Sequence, residues 1–186
     1  MELLNYINHN IDLPAEFAIE IDAAFGREEL PKGYQILSSD NLSKKVYFME
    51  KGLGRSYYLK EGKDITHYFF VEDSLLVAIE SVFYDKPSPY SLELLENSIV
   101  RSVSYTELLK IVDKSKSIDK FIQALLVSFL KSFSDRLYSI QFQSAFERYN
   151  TMLENYPNIL RRAPLGHIAS YLGITQETLS RIRSGR

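Results

Sequence analysis

Cysteine is absent from the 186 residues. That excludes disulfides, thiolate zinc sites and cysteine-held iron–sulfur clusters. No run of 18 apolar residues occurs, so no membrane-spanning helix is expected. The N-terminus carries Glu2 and lacks a basic start followed by an apolar block, so no signal peptide is expected and the cytoplasm is the expected compartment. Histidine is scarce: His9, His67 and His167 stand far apart, none with a ligand partner at close spacing. No nucleophile elbow accompanies the scattered Ser and Asp residues, so neither catalysis nor a bound cofactor is expected.

What is present is an ordinary globular composition, 45% apolar and 25% charged, with charge unevenly spread. From Pro157 onward there are five Arg and one Glu; the preceding residues hold the remaining 17 basic and 23 acidic side chains. A basic tail on an acidic body points to polyanion contact at one end.

Residues 1–30 read as helical, with Phe17, Ile21, Ala24 and Phe25 on one stripe after Pro14. From Gly33 to about Ser104 the period changes to two. Seven strands are expected there: 34–37, 45–49, 55–59, 65–70, 75–79, 90–95 and 99–103, with turn signals at 38–41, 50–52 and 60–64. Short, closely spaced strands argue for an antiparallel sandwich or jelly roll. A short helix follows at 105–112. Residues 117–150 contain neither Pro nor Gly and read as one long helix, with Ile118, Ile122, Leu125, Phe129, Phe133, Leu137 and Ile140 recurring at three and four, widened by Phe121, Leu126 and Leu130. That stripe exceeds what one face of a small roll covers, so a homodimer through the 117–150 helix is expected.

The C-terminal stretch RRAPLGHIASYLGITQETLSRIRSGR reads as two helices about a tight turn at Gly173. Thr175 is the expected N-cap. Leu179 and Ile182 face back onto Ile168 and Leu172, leaving Gln176, Glu177, Ser180, Arg181 and Arg183 outward, with the side-chain chemistry that reads base edges and phosphates.

LGHIASYLGITQETLSRIR resembles the helix-turn-helix of the cyclic-AMP receptor protein/fumarate-nitrate regulator (Crp/Fnr) superfamily, through Leu172-Gly173-Ile174-Thr175 and Glu177-Thr178-Leu179-Ser180-Arg181. The resemblance implies double-stranded DNA as partner, with Gln176, Glu177 and Arg181 at base-reading positions and Thr175, Thr178 and Arg183 toward the phosphates. The strand order resembles the β-roll of cyclic-nucleotide-binding domains, through Gly33, Val46-Tyr47-Phe48-Met49-Glu50-Lys51-Gly52 and Arg55. The expected architecture is α+β: a β-roll sensor over 1–114, a dimerisation helix over 115–150 and a helix-turn-helix over 151–186. RNA polymerase is a further partner that the resemblance allows.

The family's phosphate cassette needs a Gly, a Glu and, about ten residues on, an Arg. Alignment puts Val77, Ala78 and Ser88 there, so cyclic AMP is not expected to bind. Glu80, Ser88 and Tyr90 are the candidate lining for some other small-molecule effector. Without cysteine, iron–sulfur sensing is not available, and His67 is the one candidate axial haem ligand. The family's two-stranded wing is expected to be missing, since the sequence runs only a few residues past Ile182. Two other function classes make different demands on the sequence. A cupin-type metal enzyme needs two His on one strand, where only His67-Tyr68 is found. A non-DNA oligomeric module would use the tail to bind a protein.

Overall fold

The computed structural model describes residues 2–10, 14–112 and 116–185. In chain order the elements are α1 (Leu3–Asn10), α2 (Ala15–Ala24), β1 (Gly26–Leu30), β2 (Gln35–Leu37), β3 (Lys45–Lys51), β4 (Gly54–Lys60), β5 (Lys63–Phe70), β6 (Leu75–Val77), α3 (Ile79–Tyr84), β7 (Ser91–Leu94), β8 (Ser98–Ser104), α4 (Tyr105–Val112), α5 (Lys116–Phe142), α6 (Ala145–Asn155), α7 (Ile159–Arg162), α8 (Leu165–Leu172) and α9 (Gln176–Arg183). The expected α+β architecture is what forms.

The strands make two four-stranded antiparallel sheets, ordered β1-β8-β3-β6 and β2-β7-β4-β5. Period-two alternation sends Met49, Phe70, Leu76, Leu92, Leu94 and Val100 into the space between them. The other face of the first sheet is covered by α1, α2 and α4, through Leu3, Ile7, Ile21 and Ile111 on Phe48 and Val103. A third cluster joins Leu53, Phe69 and Leu95 of the roll to Met152, Tyr156, Ile159, Ile168, Tyr171, Leu172 and Leu179 of the C-terminal helices. The helix-turn-helix therefore shares a core with the roll.

Four readings of the sequence need correction. Residues 26–30 are a strand, not helix: β1 pairs with β8 along its length from Gly26↔Ser102 to Leu30↔Ser98. The strand expected over 75–79 stops at Val77; Ile79 opens α3, which Asp85 ends in a left-handed conformation. Among the described residues eight strands form, not seven. The helix expected over 117–150 breaks at Gln143–Ser144. Ser144 caps α6 with a reciprocal capping box: its hydroxyl accepts from Glu147 N, and Glu147 accepts from Ser144 N. The side chains of Ile118 and Phe121, and the whole of Arg186, lie outside the described residues. Among the described residues no helix is long and apolar enough to cross a membrane.

Candidate nucleic-acid interface and its mounting

The two C-terminal helices form where local chemistry puts them. Pro164 precedes the first turn of α8, where a missing N–H costs nothing. Gly173 ends α8 at φ 67°, a left-handed conformation that glycine adopts without penalty. Thr175 caps α9, its hydroxyl accepting from Thr178 N at 3.2 Å. Leu179 is 1% exposed and buried with Ile168 and Leu172; Ile182 is half-buried.

That anchoring turns the polar residues outward. Gln176, Glu177, Ser180, Arg181 and Arg183 are exposed, as is the capping Thr175, while Thr178 is half-buried. Arg181 Nη2 donates to Thr178 Oγ1 at 3.2 Å, and Thr178 Oγ1 lies 3.2 Å from Thr175 Oγ1. The cap thus also orients the guanidinium. Gln176 lies over Gly166 of α8: a Cβ there would come within 3.1 Å of Gln176 Nε2.

The mounting of this pair on the roll was not visible in the sequence. Ser170 on α8 bonds the outer edge of β5 on two sides. Its Oγ accepts from Thr66 N at 2.9 Å and donates to Asp64 O at 3.2 Å. Beneath it Arg55, 2% exposed, donates to Glu93 on β7, to Asp64 and to Thr66 Oγ1, tying three strands together.

At the entry to the helical pair, Arg162 donates to both oxygens of Glu72, at 3.0 and 2.7 Å, and of Glu96, at 3.3 and 2.7 Å. Burial pushes the Glu72 carboxyl up, but hydrogen bonds from Arg162 and from backbone N–H groups, including Gly52 N, outweigh it and hold the group below its ordinary range. A depressed carboxylate stabilises the fold above its unfolded pKa, and that contribution is lost as pH falls through the folded value. Arg162→Gln is therefore expected to lower the melting temperature near neutral pH. The gap from the wild type should close as pH drops below the ordinary Glu range, read by calorimetry across pH 3–7. A gap independent of pH would contradict the ion-pair account.

At the far end of α8, Arg148 Nε donates to Leu172 O at 2.9 Å. Arg136 donates to Tyr171 O and lies over the Tyr171 ring, 3.9 Å from its centroid. Two cations thus serve the last carbonyls of the helix that leads into the turn.

The effector candidates in the roll come together in space. Ser88 is 1% exposed and its Oγ accepts from Tyr90 N at 3.4 Å. Tyr90 donates to Val77 O at 3.4 Å, and burial, then the charge of Glu80, pushes its phenol up to about 12. Glu80 is half-buried with Oε2 unpartnered. Tyr58 packs edge-on against Tyr90, ring centroids 6.0 Å apart, and against His67 at 5.3 Å. Where the phosphate cassette's three residues fall, Val77 ends β6, Ala78 caps α3 and is 3% exposed, and Ser88 is engaged with backbone. Lys86 is exposed.

His67 is not an ordinary strand residue. Ser56 pairs with Tyr68 and Tyr57 with Thr66, so His67 is the extra residue of a β-bulge. Its ring approaches Phe133 of α5 at 6.3 Å, and burial, then Arg136, lowers its pKa. His9 is exposed, and His167 is half-buried with Nδ1 unpartnered. No three metal-ligating side chains converge among the described residues.

One outward row of α5 is apolar. Leu126, Leu130, Phe133, Leu137 and Ile140, spaced by four, three, four and three, are 62, 72, 64, 51 and 55% exposed.

No protein-family model and no curated protein sequence matches the chain. Solved structures do. FixK2 from Bradyrhizobium japonicum superposes with a TM-score of 0.73 at 23% identity, over 87% of this chain and 83% of that one. The c-di-GMP-responsive global regulator CLP of Xanthomonas campestris gives 0.72 at 13%, over 92% and 91%. A Eubacterium rectale protein assigned to the Crp/Fnr family of transcriptional regulators gives 0.71 at 17%, over 97% and 87%. The chain has the Crp/Fnr fold, with its cyclic-nucleotide-binding-type roll, long helix and helix-turn-helix.

Proposed function

We propose that this chain, built on the Crp/Fnr fold, is a sequence-specific DNA-binding transcription regulator that acts as a homodimer. The observation that carries the reading is the outward face of α9. Leu179 fixes the helix, while Gln176, Glu177, Ser180, Arg181 and Arg183 stand in solvent on the one strongly basic end of an acidic chain. In the reading, Gln176, Glu177 and Arg181 contact base edges, and Thr175, Thr178 and Arg183 contact phosphates. The α5 seam supplies the second copy, so that two α9 helices meet half-sites about one DNA turn apart, roughly 34–36 Å. Residues 1–114, 115–150 and 151–186 then serve as roll, dimer element and reader.

Ser88 in place of a cassette arginine gives a cyclic phosphate no fixed cation, so cyclic AMP is not the effector in this reading. RNA polymerase is the natural partner of a regulator bound beside a promoter.

Mobility shift on duplex DNA at two salt concentrations tests the proposal. With one phosphate neutralised by Arg183 in each copy of a dimer, affinity is expected to fall about tenfold or more between 50 and 200 mM salt. Binding that is absent, or indifferent to salt, would leave the tail as a protein-binding module instead.

A further inference from the structure

Inward-reaching arginines elsewhere in this fold are matched by carboxylates. Arg55 has Asp64 and Glu93, Arg101 has Asp22 and Glu50, and Arg162 has Glu72 and Glu96. Arg136 and Arg148 break that pattern. Both are half-buried, and neither forms an ion pair among the described residues. Among the described residues their side-chain hydrogen bonds go to main-chain carbonyls: Arg136 to Tyr171 O, Arg148 to Leu172 O and Gln143 O. A planar guanidinium carries five N–H donors. One bond therefore leaves most of the Arg136 fork unused.

Arg136 and Arg148 line the same cavity, about 310 Å³, between the β5–β6 side of the roll, α5 and α6. Its other polar lining includes Ser132, Ser139, Thr151 and Asn155, which supply hydroxyl and amide groups. Asp135 also borders it, but its carboxylate is 62% exposed and paired with Lys131. Burial lowers the pKa of Arg136; Tyr171 and Tyr156 oppose that in part, and the charge of Arg148 lowers it further. Desolvated cations that repel one another and lack a counter-charge are costly to hold. The volume is that of a small-molecule site.

We propose that this cavity is a binding site for a small organic anion, carrying phosphate or carboxylate groups, that completes the charge balance of Arg136 and Arg148. The site lies apart from Glu80, Ser88 and Tyr90 in the roll. It also lies off the proposed dimer seam: Ser132, Arg136 and Ser139 repeat at i, i+4 and i+7 on the neighbouring flank of α5. Both arginines hold the carbonyl end of α8, so an anion seated on them reinforces the docked position of the helix that leads into the turn. Binding there would reach α9 through α8, not through Glu80, Ser88 and Tyr90.

The test is thermal unfolding of the full chain in sodium phosphate and in sodium citrate, each against sodium chloride at equal ionic strength. A saturable rise of about 5 °C is expected in at least one of them. Phosphate alone would identify a phosphate ligand and citrate alone a carboxylate one. Arg136→Gln is expected to abolish the rise. Ser132→Glu, which delivers a carboxylate one helical turn before Arg136, is expected to raise the starting melting temperature and remove the response, and it decides the matter if Arg136→Gln does not fold. A rise no greater than chloride gives, or one retained in Ser132→Glu, overturns the proposal. Neither result depends on whether the chain binds DNA.

Discussion

Replacing Leu130 and Leu137 together by glutamate is expected to turn a dimer into a monomer. Both lie in the 126-130-133-137-140 row of α5, at 72 and 51% exposure in the single chain. Alternating steps of four and three are the spacing of a two-helix seam, and each leucine fully buried against a partner contributes roughly 1.5–3 kcal/mol. Five such side chains per helix offset the cost of association, put at about 4–15 kcal/mol. Two glutamates per helix remove part of that gain and place like charges opposite one another across the two-fold axis. Sedimentation analysis should show one species of single-chain mass. Affinity for a two-half-site duplex should fall by about 10²-fold or more, because the second helix is no longer delivered at high effective concentration. A double-glutamate variant that sediments as a dimer would place the interface elsewhere.

Arg181→Ala is the second large effect, and it acts on a different quantity. The guanidinium is exposed, sits one turn into α9 and is steadied by Thr178 Oγ1. A bidentate contact of this kind to a guanine discriminates by about 1–3 kcal/mol, or roughly 5- to 150-fold. Selection from a randomised duplex pool should therefore lose its preference at the base Arg181 reads, while the protein remains dimeric. Arg183→Ala should behave otherwise, weakening all sequences alike and lowering the salt slope by about two, one for each copy in the dimer. Selection of the same consensus by wild type and Arg181→Ala would count against the base-reading assignment.

The parts legible in the sequence are those decided over short range. A threonine three residues before another, a glycine at the turn and apolar residues at three and four were enough to place the turn at Gly173 and the N-cap of α9 at Thr175, because caps and left-handed turns are local chemistry. The roll was legible as period-two strands for the same reason. The break between α5 and α6 was also written locally, as Ser144-Ala145-Phe146-Glu147, but was outweighed by the absence of Pro and Gly across the segment. β1 was not legible: Gly-Arg-Glu-Glu-Leu has little strand character, and what makes it a strand is its pairing with β8, some 70 residues on. The same holds for the mounting. Arg136 and Arg148 meet α8 across 35 and 24 residues, and Ser170 meets β5 across more than 100. No periodicity announces a contact of that separation; only the folded chain brings Ser170 to a strand edge.

That serine has a consequence for the roll itself. β5 is the outermost strand of its sheet, and its free edge would offer Thr66 N and Asp64 O to any passing chain. Ser170 occupies both, acting as a one-residue cap on an otherwise adhesive border. Any excursion that lifts α8 away therefore uncovers a template for strand addition, so the docked helix also protects the protein from associating with itself.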